Sequence, residues 1–394
     1  MLKQRYSRFL SANPHRLHFA AHSHHLWPDC TREAQLKYWD DSAQLVDDKW
    51  EHIFSEVIPV AQRHIAQILA LPDSRQIAFA PNTHEFVMRI LSAMPANKRI
   101  RVLTTDSEFH SFTRQLLRLE QEDLVEVSRV AVEPFATFEE RFTRALTREN
   151  FDLVFFSQVF FTSGFAPAGY QKLAELAAIN APVVVLDGYH GFCAVPTDLS
   201  AIASKVFYLG GGYKYAQSGE GACFCAIPAG TTLEPRFTGW YSSFESLEQL
   251  SKAEKIKYGP NYLRFFGSTF DPSGIYRLNA ALGMLRDESL SVQEIHLHVR
   301  SLQQHFLSLL QRRPLSWLNT GQALAINNSI EAPLVPDPHA HFLTFRVDNA
   351  AARVRELRQK QIIIDSRGEY LRLGFGLYHE FSDVDALMQR LHQP

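Results

Sequence analysis

From about residue 75 to residue 230, short apolar runs alternate with amphipathic stretches, and this alternation most narrows what such a sequence can fold into. The predicted strands cover residues 76–80, 100–104, 124–130, 153–157, 183–187, 206–210 and 222–227. Helical patterns such as 170–179 separate several of them. Strands that alternate with helices build an α/β layer with a mostly parallel sheet, here of seven strands. Such a sheet binds its ligand beyond the carboxyl ends of the strands. Residues 1–30 read as an irregular arm and 31–70 as helical. After about 270 the pattern changes to a compact α+β unit. It has a helix starting near 274, a longer helix over 292–311, a strand at 341–347 and a helix at 350–360. Strands at 362–365 and 370–374 and a last helix at 382–391 complete it. Three parts are expected: an arm and helix over 1–50 that packs with the small domain or lines the active site, a large ligand-binding domain over 51–265, and a small carboxyl-terminal domain over 266–394.

Composition excludes several classes. The 394 residues are 46% hydrophobic and 21% charged, with 40 basic against 42 acidic residues. No long basic tract offers a surface to nucleic acid or an anionic membrane. No apolar run approaches the ~20 residues of a membrane span, and the first residues lack a signal-peptide core, so a cytoplasmic location is expected. Cys30, Cys193, Cys223 and Cys225 fit neither a disulfide framework nor a zinc site by spacing. Cys223 and Cys225 lie in an apolar run and read as small buried strand residues.

The chemistry concentrates between 183 and 215. The run Val-Val-Val-Leu-Asp187 ends a strand in a carboxylate, and His190 follows three residues later. The next strand leads into Gly-Gly-Tyr213-Lys214-Tyr, where glycines permit a sharp turn beside a ligand. A lysine there projects into the cleft of Asp187, and burial would make its amine nucleophilic. A Schiff-base lysine and an aspartate that protonates a pyridine nitrogen suit pyridoxal 5'-phosphate (PLP). Strand 76–80 runs into Pro-Asn82-Thr83-His-Glu85, a helix start whose N–H groups favour a phosphate. Asn82 or Thr83 is the expected cap there, with Glu85 placed for a reciprocal one.

The stretches Phe-Phe-Ser-Gln-Val-Phe-Phe-Thr-Ser-Gly164, Val-Val-Val-Leu-Asp187-Gly-Tyr-His190 and Gly-Gly-Gly-Tyr213-Lys214-Tyr together resemble the class V aminotransferase group. Within it the likeness is to kynureninase, and it includes the tail Tyr-Leu-Arg372-Leu-Gly-Phe-Gly-Leu-Tyr-His-Glu-Phe-Ser-Asp-Val. The resemblance implies a PLP-dependent, aspartate-aminotransferase-like type I fold. It implies Lys214 as the cofactor lysine, Asp187 as the ring-nitrogen partner, His190 near the Schiff base and Tyr213 and Thr83, with Asn82, at the phosphate. An aromatic ring from Phe109 or His110 stacks on the cofactor, with Phe109 favoured. Arg372 clamps the substrate carboxylate. Trp240, Ser268 and Thr269 reach a neighbouring subunit's cofactor, which implies a homodimer with active sites at the subunit interface.

The arm departs from the family pattern. It reads Phe-Ala-Ala-His22-Ser23-His24-His25, and His22 and Ser23 are expected to line the substrate pocket rather than to hold a metal. The activity implied is kynureninase-like hydrolysis that cleaves a carbon–carbon bond within the side group of an amino acid. The alternatives are a class V aminotransferase, another PLP-dependent lyase, or a non-catalytic binding protein. Desulfurases with a cysteine nucleophile well after the lysine are set aside, because the last cysteine is Cys225.

Overall fold

The computed structural model describes residues 2–243, 256–259, 261–318 and 339–393. The arm contains the short helix α1 (Ser7–Ser11) and the two-residue strand β1 (Leu17–His18). Helices α2 (Cys30–Leu45), α3 (Lys49–His52) and α4 (Ile58–Leu69) follow. The expected helical stretch is therefore interrupted, and Val46 at φ 51° marks the first break. A β-branched residue in that region cannot continue a right-handed helix.

The large layer then alternates as the sequence predicts. Its elements are β2 (Ile77–Ala80), α5 (Thr83–Ala93), β3 (Ile100–Thr105), α6 (His110–Gln121), β4 (Val125–Val130), α7 (Phe138–Arg148), β5 (Leu153–Ser157), α8 (Tyr170–Asn180), β6 (Val183–Asp187), β7 (Phe207–Gly211) and β8 (Cys223–Ala226). The seven strands lie in the order β2-β8-β7-β6-β5-β3-β4. Neighbours from β7 to β4 are parallel, and β8 runs antiparallel to both β7 and β2. All residues of β5 are buried, as helices on both faces require. Helix α7 shows how the cover is made: Phe138, Phe142 and Leu146, one turn apart, all face inward. The parallel arrangement brings the carboxyl ends of β3, β5, β6 and β7 to one edge, where the strand order reverses around β3.

Helix α9 (Ser273–Asp287) lies beyond the expected boundary at 265, yet its Ile275, Leu278 and Leu282 join the core of the large layer. A second core gathers α10 (Val292–Arg312), β9 (Phe342–Arg346), α11 (Ala350–Gln359), β10 (Ile362–Ile363), β11 (Asp365–Arg367), β12 (Tyr370–Gly374) and α12 (Phe381–Leu391) around Phe306, Leu343, Phe345 and Leu387. The single strand expected at 362–365 is two. Strand β10 pairs in parallel with β1 of the arm, while β11 forms an antiparallel hairpin with β12. Among the described residues no helix is long and apolar enough to cross a membrane.

Candidate active site

A cavity of about 720 Å³ opens at the carboxyl edge of the sheet. Asn82, Thr83, Phe109, Asp187, His190, Tyr213 and Lys214 all line it, so seven residues expected from sequence come together.

Asp187 is the last residue of β6 and accepts a hydrogen bond from Tyr189 N–H at 3.0 Å. Burial raises its proton affinity, while that bond and the Lys214 charge oppose the rise. Lys214 follows β7 in a closed turn. Ser218 N–H donates to the Gly212 carbonyl at 2.8 Å, and a Cβ on Gly212 would meet the Ser218 hydroxyl at 1.9 Å, so a larger residue there would have to turn that hydroxyl aside. Arg277 of α9 secures the far side of the turn by donating to the Ser218 and Glu220 carbonyls at 2.8 and 2.6 Å.

The Lys214 amine meets His190 Nε2. It lies 5.0 Å from the ring centroid of Tyr189 and 5.7 Å from that of Phe109. Burial pulls its pKa down to about 7; Asp187 offsets part of that shift and Arg372 adds to it. A large share of the amine is then neutral and nucleophilic near neutral pH. His190 is driven toward its neutral form by burial, then by Lys214 and Arg372. Its Nδ1 is buried with no protein partner. Tyr213 keeps its proton more tightly than a free phenol because it is partly buried.

The opposite end of the cavity is the start of α5. Asn82 caps it by accepting from Glu85 N–H at 3.1 Å. The reciprocal cap expected from Glu85 does not form, because its carboxylate accepts from Arg89 at 2.9 Å instead. Pro81, Asn82, Thr83 and His84 line the cavity there, and the N–H groups of a helix start favour an anion. The donor turn at α5, the carboxylate of Asp187, the buried amine of Lys214 and the unpartnered His190 Nδ1 match the phosphate, ring nitrogen and aldehyde of PLP.

Several expected residues lie elsewhere. His110 is the first residue of α6, one helical step beyond the capping Phe109, so its ring turns onto the edge of Phe161 at 5.1 Å and not into the cavity. His22 and Ser23 do not line the cavity either. Pairing of β1 with β10 and an Ala20–Gly374 bridge draw the arm against the β11–β12 hairpin. His22 there is wholly buried and shares a 2.7 Å hydrogen bond with Asp365. Arg372 is 2% exposed and forks onto Asp365, with Nε donating at 2.8 Å, and also donates to the Phe161 carbonyl. Burial favours the neutral acid of Asp365, but His22 and Arg372 outweigh it and hold the carboxyl well below the usual range. Arg372 thus already carries a carboxylate from its own hairpin. Trp240, Ser268 and Thr269 are outside the cavity lining, where Trp240 Nε1 donates to Thr269 at 3.1 Å. Among the described residues no group of three or more side chains is placed to hold a metal.

Of the neighbours of the site not expected from sequence, Tyr189, Asp365, Cys223 and Ser157 bear most on its chemistry. Tyr189 stands between Asp187 and His190, so its adjacency was the available signal. Asp365 faces Arg372 because Asp-Ser-Arg-Gly-Glu-Tyr-Leu-Arg forms a hairpin around Gly368 at φ 57°. That pattern is readable as a two-residue turn. Cys223 enters the cavity wall and meets the Tyr189 hydroxyl at 3.3 Å. Ser157 reaches the cavity from the end of β5.

A lysine amine, a strand-end carboxylate and a helix start that share one cavity define a pocket of the PLP-enzyme class. The aminotransferase class-V family model matches residues 25–387, and the protein belongs to that family, which is built on the PLP-dependent type I fold. No curated relative matches the sequence. Among solved structures, the cystine C–S lyase C-DES superimposes with a TM-score of 0.81 at 17% identity, over 99% of this protein and 98% of that one. The cysteine desulfurase CsdA of Escherichia coli gives 0.75 at 17% identity, over 98% and 97%. A cysteine desulfurase of Thermococcus onnurineus NA1 gives 0.75 at 15% identity, over 95% and 94%. These likenesses are of fold, and none of the three is a kynureninase.

Proposed function

We propose that the protein is a PLP-dependent lyase that acts on an amino acid bearing a leaving group on Cβ. The observation that carries this reading is the Lys214 amine, held between Phe109 and Tyr189 against His190 in the cavity that Asp187 closes. When bound, the cofactor supplies a sink for negative charge developing at the amino-acid Cα.

The protein's own residues do the rest. Lys214 Nζ is the attachment point and, once released, the base that holds the Cα proton. His190 Nε2, kept neutral, accepts a hydrogen bond from the Lys214 amine and orients it. Asp187 keeps a ring nitrogen protonated. Thr83 and Asn82 hold the phosphate with the first turn of α5, and Phe109 covers the ring. Tyr213, which retains its proton at neutral pH, donates to the departing group. The substrate carboxylate is read at the β11–β12 hairpin. Arg367 there is more exposed than Arg372 and close enough to depress the pKa of Lys214 and His190. Arg372 holds Asp365 in place and lends its remaining N–H groups. Trp240, Ser268 and Thr269 serve a second subunit in a homodimer.

A lyase of this kind needs no protein thiol to take up the leaving group. That agrees with a sequence whose last cysteine is Cys225, in a buried strand. The overall likeness to a cystine C–S lyase supports the same reading. The carboxyl-terminal motif over 370–384 supports the competing one, hydrolysis of kynurenine. Incubation with cystine, cysteine, kynurenine and a panel of amino acids, without any keto acid, separates them by mass spectrometry. Elimination gives pyruvate and ammonia over many turnovers, with the leaving group released as cysteine persulfide from cystine or sulfide from cysteine, and this is the expected result. Alanine with anthranilate would establish the hydrolase. A single stoichiometric conversion, restarted by a keto acid, would establish an aminotransferase.

Arg372→Lys is expected to weaken amino-acid binding about 10- to 100-fold, because a point charge cannot reproduce the planar fork and a charged hydrogen bond is lost. PLP affinity should change little. An unchanged KM would remove Arg372 from substrate recognition.

A further inference from the structure

Glu108 sits in the turn between β3 and α6, behind the cavity wall, and is only 3% exposed. All of its carboxyl partners are neutral. Thr105 Oγ1 donates to its Oε1 at 2.7 Å, Ser157 N–H lies 3.3 Å from the same oxygen, and Ser157 Oγ is 2.5 Å from Oε2. Ser157 is the register partner of Asp187 on the neighbouring parallel strand. Register partners leave the sheet on the same face, about 5 Å apart. Both side chains line the cavity. Ser157 therefore touches Glu108 on one side and the Asp187 end of the cavity on the other.

A serine hydroxyl has one proton to give. If Glu108 is ionised, the Ser157 proton points back at it. If Glu108 carries a proton, it can donate to Ser157 Oγ, and the serine proton is free to turn outward. We propose that Glu108 is a positioning residue that, by carrying or releasing a proton, sets whether the Ser157 hydroxyl points back into the protein or into the cavity beside Asp187. The inference rests on Asp187 marking the cofactor-ring end of the site.

The surroundings favour the proton-bearing form. Burial pushes the Glu108 carboxyl up to about 8; hydrogen bonds from Ser157 and Thr105 offset part of the rise, and the Asp187 charge adds to it. Asp187 on β6 is the charged group facing it, with Lys214 beyond. Thr105 on β3, Ser157 on β5 and Thr113 on α6 face it with neutral groups, Thr113 by donating to its main-chain carbonyl at 3.2 Å. Asp106 is turned away and is taken up by Ser107 Oγ and Val132 N–H. Two carboxyls close together resist ionising together. Glu108, whose carboxyl partners are all neutral, is held toward its proton-bearing form, while Asp187 has the Lys214 charge and the Tyr189 N–H to favour its ionised form.

Glu108→Gln mimics the protonated state permanently, since its amide can donate to Ser157 at every pH. Ser157→Ala removes the relay. Infrared difference spectra of the cofactor-free protein give the first readout. A protonated-carboxyl band should titrate above the ordinary glutamate range and be missing from E108Q. Visible absorption of the PLP-loaded protein gives the second. The wild type should show a step between about pH 7 and 9 that is lost in both E108Q and S157A. S157A should also lose ~3- to 10-fold in kcat/KM, the effect of one hydrogen bond. The double variant should match S157A alone. Absence of the infrared band, or a visible step that persists in both variants, would overturn the proposal. A protein that shows the band yet takes up no PLP would instead overturn the functional reading, leaving the Glu108 proton in place.

Discussion

Lys214→Ala should abolish covalent cofactor attachment and lower turnover by at least ~10⁴-fold, since on the proposed reading one side chain serves both as attachment point and as proton carrier at Cα. The wild-type pH dependence should bear the same mark. With its pKa near 7, the amine is protonated and unreactive below that value. The rate of PLP capture should therefore rise about tenfold per unit below pH 7 and level off above it. An ordinary lysine would keep rising to about pH 10. Stopped-flow absorbance of the cofactor-free protein mixed with PLP measures this directly. K214A should show no such phase, and K214R should not restore it, because a guanidinium stays protonated throughout. Wild-type capture that still climbed steeply from pH 8 to pH 10 would mean that the amine is not desolvated as the fold implies.

Asp187→Asn carries the second large effect. PLP should still bind, because in the proposed arrangement the α5 turn would hold the phosphate and Phe109 would cover the ring. Turnover should fall about 10²- to 10⁴-fold, because an amide cannot keep a ring nitrogen protonated. Burial already raises the proton affinity of the Asp187 carboxyl, which makes a cation placed against it favourable. Glu108 lies behind the same strand pair but cannot take over the role, since Ser157 stands between it and the cavity. Cofactor titration by fluorescence and steady-state rates of D187N separate binding from chemistry. Near wild-type rates would show that another carboxylate does this work.

Much of the large layer was legible from residues close in sequence. Strands β5 and β6 begin and end at the predicted residues because an apolar β-branched or aromatic run stops at a polar side chain, Ser157 or Asp187. Helix α5 starts where Asn82 can cap it. What the sequence did not reveal depends on partners far away. Residues 362–367 split between two sheets because Leu17 and His18, more than 340 residues earlier, pair with Ile362 and Ile363. The same pairing fixes the arm and turns His22 toward Asp365, so side chains expected in the substrate pocket became part of its support. Arg372 was recognisable as important, but the carboxylate opposite it depends on hairpin register. Ser157 and Glu108 come together only when β3 and β5 lie side by side in the sheet.

Attachment of the cofactor to Lys214 can be tested directly. Reconstitution with PLP, borohydride reduction and peptide mapping by mass spectrometry test it in one measurement. The expected result is a yellow protein that fixes one pyridoxyl group per polypeptide, on the peptide containing Tyr213 and Lys214. Label on any other lysine, or a protein that takes up no PLP, would contradict it.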